Sequence, residues 1–187
     1  GLLDPEIIKQ YLPVMIFEQI SEDNNIEKLE LEFSNKKKTI YVNIDYTNLD
    51  NPNYNFRIEY ATLTPQGTSS MKYPKKNFTI KLFKDEARTE KLKIDFKGWG
   101  KQNKFCLKAN WIDISHLRNI VSARLWSDIV ESRSNYDTLP ELLKDSPNNG
   151  AIDGFPIKVY NNGIYQGRYS WNIPKDKWTF NMDDDLE

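Results

Sequence analysis

The sequence predicts an α+β domain: a mostly antiparallel β-sheet, one long helix and a C-terminal β-hairpin. Three observations carry this. Apolar residues alternate with polar ones in several segments up to residue 111, the period of half-buried strands. In 115–132 the spacing becomes helical. Later, Asn161-Asn162-Gly163 supplies the positive φ of a tight turn between two further strands.

The strands read as follows. Residues 12–17, "LPVMIF", are apolar enough for the middle of a sheet. The segments 28–33, "KLELEF", and 91–96, "KLKIDF", are shorter candidates. Ile40, Val42, Ile44 and Tyr46 share one face of 39–46, and Phe56, Ile58 and Tyr60 share one face of 56–63. Phe78, Ile80 and Leu82 do so in 77–83; in 104–111 the set is Phe105, Leu107, Ala109 and Trp111. By this alternation Trp111 and Trp171 are core residues. The helix carries Leu117, Ile120, Val121, Leu125 and Ile129, with Asp113 or Ser115 to cap its first amides and His116 in its first turn.

The 187 residues suffice for one sizeable core, so a single domain is expected over 1–187. Residues 1–65 form its β-rich start, 66–132 the motif-bearing strands and helix, 133–154 a long surface loop with one helical turn at "PELLKD", and 155–176 the hairpin. Gly1 and Leu186-Glu187 read as cut ends of a larger protein. A hydrophobic share of 39% with five Trp and ten Tyr argues for a folded chain, and 28% charged residues for a very polar surface. The net charge of -1 provides no global basic field, which argues against nucleic acid as a partner. The single cysteine, Cys106, rules out an internal disulfide and any multi-thiolate metal site within one chain. No apolar run approaches the ~20 residues that span a bilayer, and no signal-peptide pattern opens the chain, so no membrane partner is expected.

Chemistry concentrates in "QGTSSMKYPKKNFTIKLF", residues 66–83. Gly67 frees the backbone to turn its amides inward, Thr68, Ser69 and Ser70 offer hydroxyls, and Lys75 or Lys76 adds charge: parts that suit a phosphate. Neither the P-loop nor the dinucleotide fingerprint is present, and an ordinary polar turn explains the same residues. Asp113 is read first as a helix cap, Arg118 as a surface cation able to reach an anion if the helix packs beside this turn. Lys36-Lys37-Lys38 reads as a solvated hairpin tip, Asp183-Asp184-Asp185 as a solvated acidic tail, and the sequon at Asn77 is set aside. No metal ligands are assigned.

Read together, "QGTSSMKYPKKNFTIKLF", "KFCLKANWIDISHLRNIVSARL" and "GFPIKVYNNGIYQGRYSWNIPKD" resemble the ordered motifs of the CotH kinase-like family. The resemblance covers residues 66–176. It implies an atypical kinase-like fold and, as in the spore-coat members, ATP-dependent phosphorylation of protein serines assisted by Mg or Mn. Carried over by position, Gly67, Thr68, Ser69, Ser70, Lys75, Lys76, Asn110 and Asn119 are cofactor-binding candidates, and Asp113 and Arg118 catalytic ones. Gln66 stands where many members have arginine, and the family's metal-binding aspartates are expected beyond residue 187. Similar modules in phage and gut-bacterial proteins imply the alternative, a structural or adhesive role with a coat, virion or cell-surface partner.

Overall fold

The computed structural model describes residues 12–20 and 38–182. The strands are β1 (Val14–Gln19), β2 (Ile40–Thr47), β3 (Phe56–Gln66), β4 (Asn77–Phe83), β5 (Ile94–Asp95), β6 (Lys101–Gln102), β7 (Lys104–Lys108), β8 (Gly154–Asn161) and β9 (Ile164–Asn172). Two helices, α1 (Arg118–Glu131) and α2 (Glu141–Lys144), lie between β7 and β8. Seven strands close into a barrel in the order β1-β2-β3-β4-β7-β9-β8, and β5 pairs with β6 apart from it.

This corrects the expected fold class. Over the described residues the molecule is mostly β, and its main sheet is a closed barrel with one long helix beside it, not an antiparallel α+β kinase-like sheet. Closure comes from β1 pairing parallel to β8, Val14 beside Lys158, while the other barrel pairs are antiparallel. Periodicity reports which face of a strand is apolar but not whether its two ends meet. Joining β1 to β8 leaves the seven-stranded barrel itself without an open edge.

The barrel interior follows the alternation. Phe17, Val42, Ile44, Leu63, Phe78, Ile80, Leu82, Phe105, Leu107, Val159 and Trp171 are all buried. Burying side chains of this size contributes roughly 1.5–3 kcal/mol each before the entropy of ordering them. Phe96, just past β5, closes the end of the barrel at which β3 begins. Its ring meets Tyr46, Tyr54, Phe56, Trp99, Phe155 and Trp171, with centroids 5.2 to 6.0 Å away.

Three strand expectations shift. Opposite Val42 and Ile44, β3 carries one extra residue between Ile58 and Ala61, a bulge that moves Ala61 and Leu63 inward and leaves Tyr60 half-buried. The 91–96 segment reduces to β5. In 104–111 the strand ends at Lys108, because Asn110 takes a left-handed φ of 48°; the alternation breaks there and Trp111, expected in the core, is exposed. The 28–33 candidate, Lys36, Lys37 and Asp183-Asp184-Asp185 lie outside the described residues.

The hairpin forms as read, with Asn162 at φ 47° and Gly163 at φ 79° making the two-residue turn between β8 and β9. α1 also forms where the period predicts it, with Leu117 just ahead of it, but of the five apolar positions expected for the helix only Ile120 is buried. The helix is held instead by polar ties to the 133–154 loop, which contains α2 and short 3-10 turns. Asn149 donates to Ser127 Oγ at 2.7 Å and to Glu131 Oε1 at 2.8 Å, while Arg124 donates to the Gly154 carbonyl at 2.9 Å and pairs with Asp153.

Candidate functional site

Two loops meet at the barrel end where β3 finishes: the turn from β3 to β4, and the link from β7 to α1. Their convergence is set by the β4/β7 ladder, which brings the first residue of β4 beside the last of β7. Asn77 fastens the junction, its Oδ1 accepting from the Ala109 amide at 2.7 Å and its Nδ2 donating to Ser70 Oγ at 3.3 Å. Between the loops lies a cleft of about 450 Å³, lined by Ser70, Tyr73, Lys75, Asn77, Lys108, Ala109, Asn110, Trp111, Ile112, Asp113, Arg118 and Asn119.

Six residues singled out in the sequence line this one cleft: Ser70, Lys75, Asn110, Asp113, Arg118 and Asn119. Gly67, Thr68, Ser69 and Lys76 do not. Gly67 is needed for the turn itself. It sits at φ 127°, and a Cβ there would lie 2.0 Å from Ser70 Oγ. Lys76 is turned away from the cleft, 8% exposed, with its ammonium donating to the Met71 and Tyr73 carbonyls. It closes the turn from within. Lys75 is as deeply covered but lines the cleft; it donates to the Arg168 carbonyl and lies 4.3 Å from the centre of the Tyr169 ring.

The second loop is shaped by Asp113. One carboxylate oxygen accepts from the Ser115 hydroxyl at 2.7 Å and the Ser115 amide at 3.1 Å; the other accepts from the Arg118 amide at 2.9 Å. The residue just before α1 is Leu117, so Asp113 caps the helix from several positions upstream. The Ser115 hydroxyl, with the two amides and the Arg118 guanidinium, holds the Asp113 carboxyl below the usual carboxylate range against the opposing effect of burial. Arg118 pairs with Asp113 at 3.5 Å and is otherwise 80% exposed, free to reach into the cleft.

Asn110 bridges the loop to the barrel, donating to Ser170 Oγ at 2.7 Å. His116 lies ahead of the helix at φ 60°, not in its first turn. Burial first, then the charges of Lys75 and Arg168, push its imidazole below the ordinary histidine value, with Asp113 opposing.

Sequence reasoning missed Lys108 and Tyr73. Lys108 projects from β7 between inward Leu107 and Ala109, and donates to Gln66 Oε1 at 2.5 Å while Gln66 Nε2 contacts Cys106 Sγ at 3.6 Å. The signal was present: in "KFCLKAN" the same alternation that buries Leu107 aims Lys108 outward, beside Asn110. Gln66 here orients a lysine.

The cleft thus carries three cations, Lys75, Lys108 and Arg118, against one carboxylate, with hydroxyl and amide donors at its rim. That donor set fits the oxygens of a phosphate chain. It does not by itself fit a bare metal ion, since among the described residues no three His, Cys, Asp or Glu side chains cluster. Among the described residues lining the cleft Asp113 is the one carboxylate, and Mg²⁺ is commonly held by one or two carboxylates together with substrate phosphates.

Fold and cleft define a small β-barrel domain with a cationic, hydroxyl-bearing cleft at one end of the barrel. Within that class the chain belongs to the CotH kinase protein family, whose model matches residues 63–171. The match runs from within β3 through most of β9 and takes in both loops that build the cleft. No curated protein matches the chain.

Proposed function

We propose that the cleft binds the phosphates of ATP, with Mg²⁺ or Mn²⁺ carried on them, and that the domain serves phosphoryl transfer to serine or threonine of a protein substrate. The observation that carries this reading is the convergence of Lys75, Lys108 and Arg118 with Ser70 in one cleft inside the family-matched span. Phosphoryl transfer asks little covalent chemistry of a protein and much positioning of positive charge. Lys75, fixed by its carbonyl partner, and Lys108, oriented by Gln66, supply preorganised charge along one wall. Arg118 supplies a mobile planar fork from the other, and Asp113 holds its base. With its carboxyl shifted down, Asp113 is a weak base and acts by orientation. The cation, when bound, neutralises charge developing on the transferred group.

Isothermal titration with ATP and Mg²⁺ tests this. Saturable binding that weakens by about tenfold or more in Lys108→Gln is expected, as for loss of one charge-assisted contact of ~1.5–3 kcal/mol. Absence of binding in a chain extended beyond residue 187 sinks the reading. The exposed apolar positions of α1 favour a second one, a non-catalytic structural module of a larger coat, virion or surface assembly. That reading expects no ATP heat from either chain, and loss of assembly when Val121 and Leu125 are made polar.

A further inference from the structure

A second cleft, of about 420 Å³, lies at the other end of the β4/β7 ladder, and its chemistry differs from that of the first. Its walls carry Lys81, Lys91, Lys93 and Lys104 beside the rings of Phe83 and Trp178. Lys177 and Asp176 complete the rim, so five lysines face one carboxylate in a chain whose net charge is -1.

The register makes this arrangement costly. Lys81 and Lys104 are direct partners across the β4/β7 ladder, while their neighbours Ile80 and Phe105 point into the barrel. Like charges directly opposite each other destabilise a sheet. Asp176 relieves Lys104 at 2.8 Å. Among the described residues, Lys81, Lys91 and Lys93 have no carboxylate partner. An unrelieved cationic row on a folded surface calls for an anion from outside.

The spacing says what kind. Lys91 and Lys93 alternate outward while Leu92 and Ile94 pack toward the core, which separates the two lysines by roughly 7 Å along an extended segment. Lys81 and Lys104 stand about 5 Å apart across the strands. The Lys91–Lys93 spacing matches the repeat of alternate side chains in an extended peptide, and Lys81 and Lys104 line the same cleft beside it. Phe83 and Trp178 offer apolar contact to that peptide's backbone and methylenes.

We propose that this second cleft docks an extended acidic peptide segment bearing anionic side chains, carboxylate or phosphate, at alternate positions. The proposal does not depend on nucleotide binding in the first cleft. Fluorescence anisotropy on the whole chain tests it with three labelled nonapeptides, alternating Glu-Gly, phosphoserine-Gly and Gln-Gly. The anionic peptides bind and the Gln-Gly peptide does not, the tighter of the two naming carboxylate or phosphate as the preferred group. Affinity falls with added NaCl and by about tenfold in the double variant Lys81→Gln/Lys93→Gln, but holds in Lys144→Gln. The double variant melts no lower than the parent, because both lysines are exposed and one cross-strand repulsion is gone. Failure of both anionic peptides to bind, an unchanged affinity in the double variant, or equal binding of a single-stranded oligonucleotide of the same length overturns it.

Discussion

The barrel strands and the long helix each carry a regular apolar pattern, of period two in the one and of helical period in the other, and the two patterns meet opposite fates. Strand residues such as Phe78, Ile80 and Leu82 are buried, whereas Val121, Leu125 and Ile129 of α1 stay exposed, Val121 by 56%. The barrel closes on itself, so its apolar face finds a partner within the chain. The helix is tied down through Asn149, Arg124 and Asp113, and apart from Ile120 and Ala123 most of its apolar positions are left to solvent among the described residues. Periodicity therefore marks a surface as apolar without saying that this chain covers it.

The sharpest way to break the contrast is at the barrel's plug. Phe96→Ala removes a ring with six aromatic neighbours and is expected to cost about 3–5 kcal/mol in denaturant unfolding; a loss below 1 kcal/mol would mean that the barrel end is not packed as described. Next comes the seam between barrel and cleft. Gly67→Ala places a methyl against Ser70 Oγ at a left-handed φ, with an expected cost of roughly 1–3 kcal/mol and a disturbed Ser70.

His116 gives a smaller effect with a definite sign. Its folded pKa is depressed, so the unfolded chain binds the proton more readily. The contribution to stability is full above the unfolded value of about 6.5 and is lost as pH falls through the lower folded one. Between pH 7 and 5.5 the parent should lose more stability than His116→Asn, in which asparagine tolerates the same left-handed backbone; equal slopes would remove the histidine as the source. Smallest of all, Leu125→Gln should shift unfolding by no more than about 0.5 kcal/mol. A loss comparable to that of a core residue would show that the helix face is covered after all.

The strands, the helix and the hairpin turn were legible because each is written in local periodicity or turn chemistry. The barrel was not, since its closure joins β1 to β8 and nothing near Val14 announces Lys158. Half of the site was legible for a similar reason. Ser70, Lys75, Asn110, Asp113, Arg118 and Asn119 fall in segments whose residue types already suit an anion. Distinguishing Lys75 from Lys76 required knowing which carbonyls each ammonium reaches, and Trp111 left the core through one left-handed backbone at Asn110 that alternation does not foresee.

The parallel β1/β8 pair has a kinetic consequence. Val14 of β1 pairs with Lys158 of β8, so the second neighbour of β1 is synthesised only after the helix and the whole connecting loop. On a ribosome β1 and β2 emerge before β8 and form a ribbon whose outer edge must wait until β8 appears. Such long-range pairing is slow because chain closure must be accomplished before the contact rewards it. Barrel closure is then expected as the last folding step, and the waiting edge of β1 as the place where a nascent chain would pair with the wrong strand.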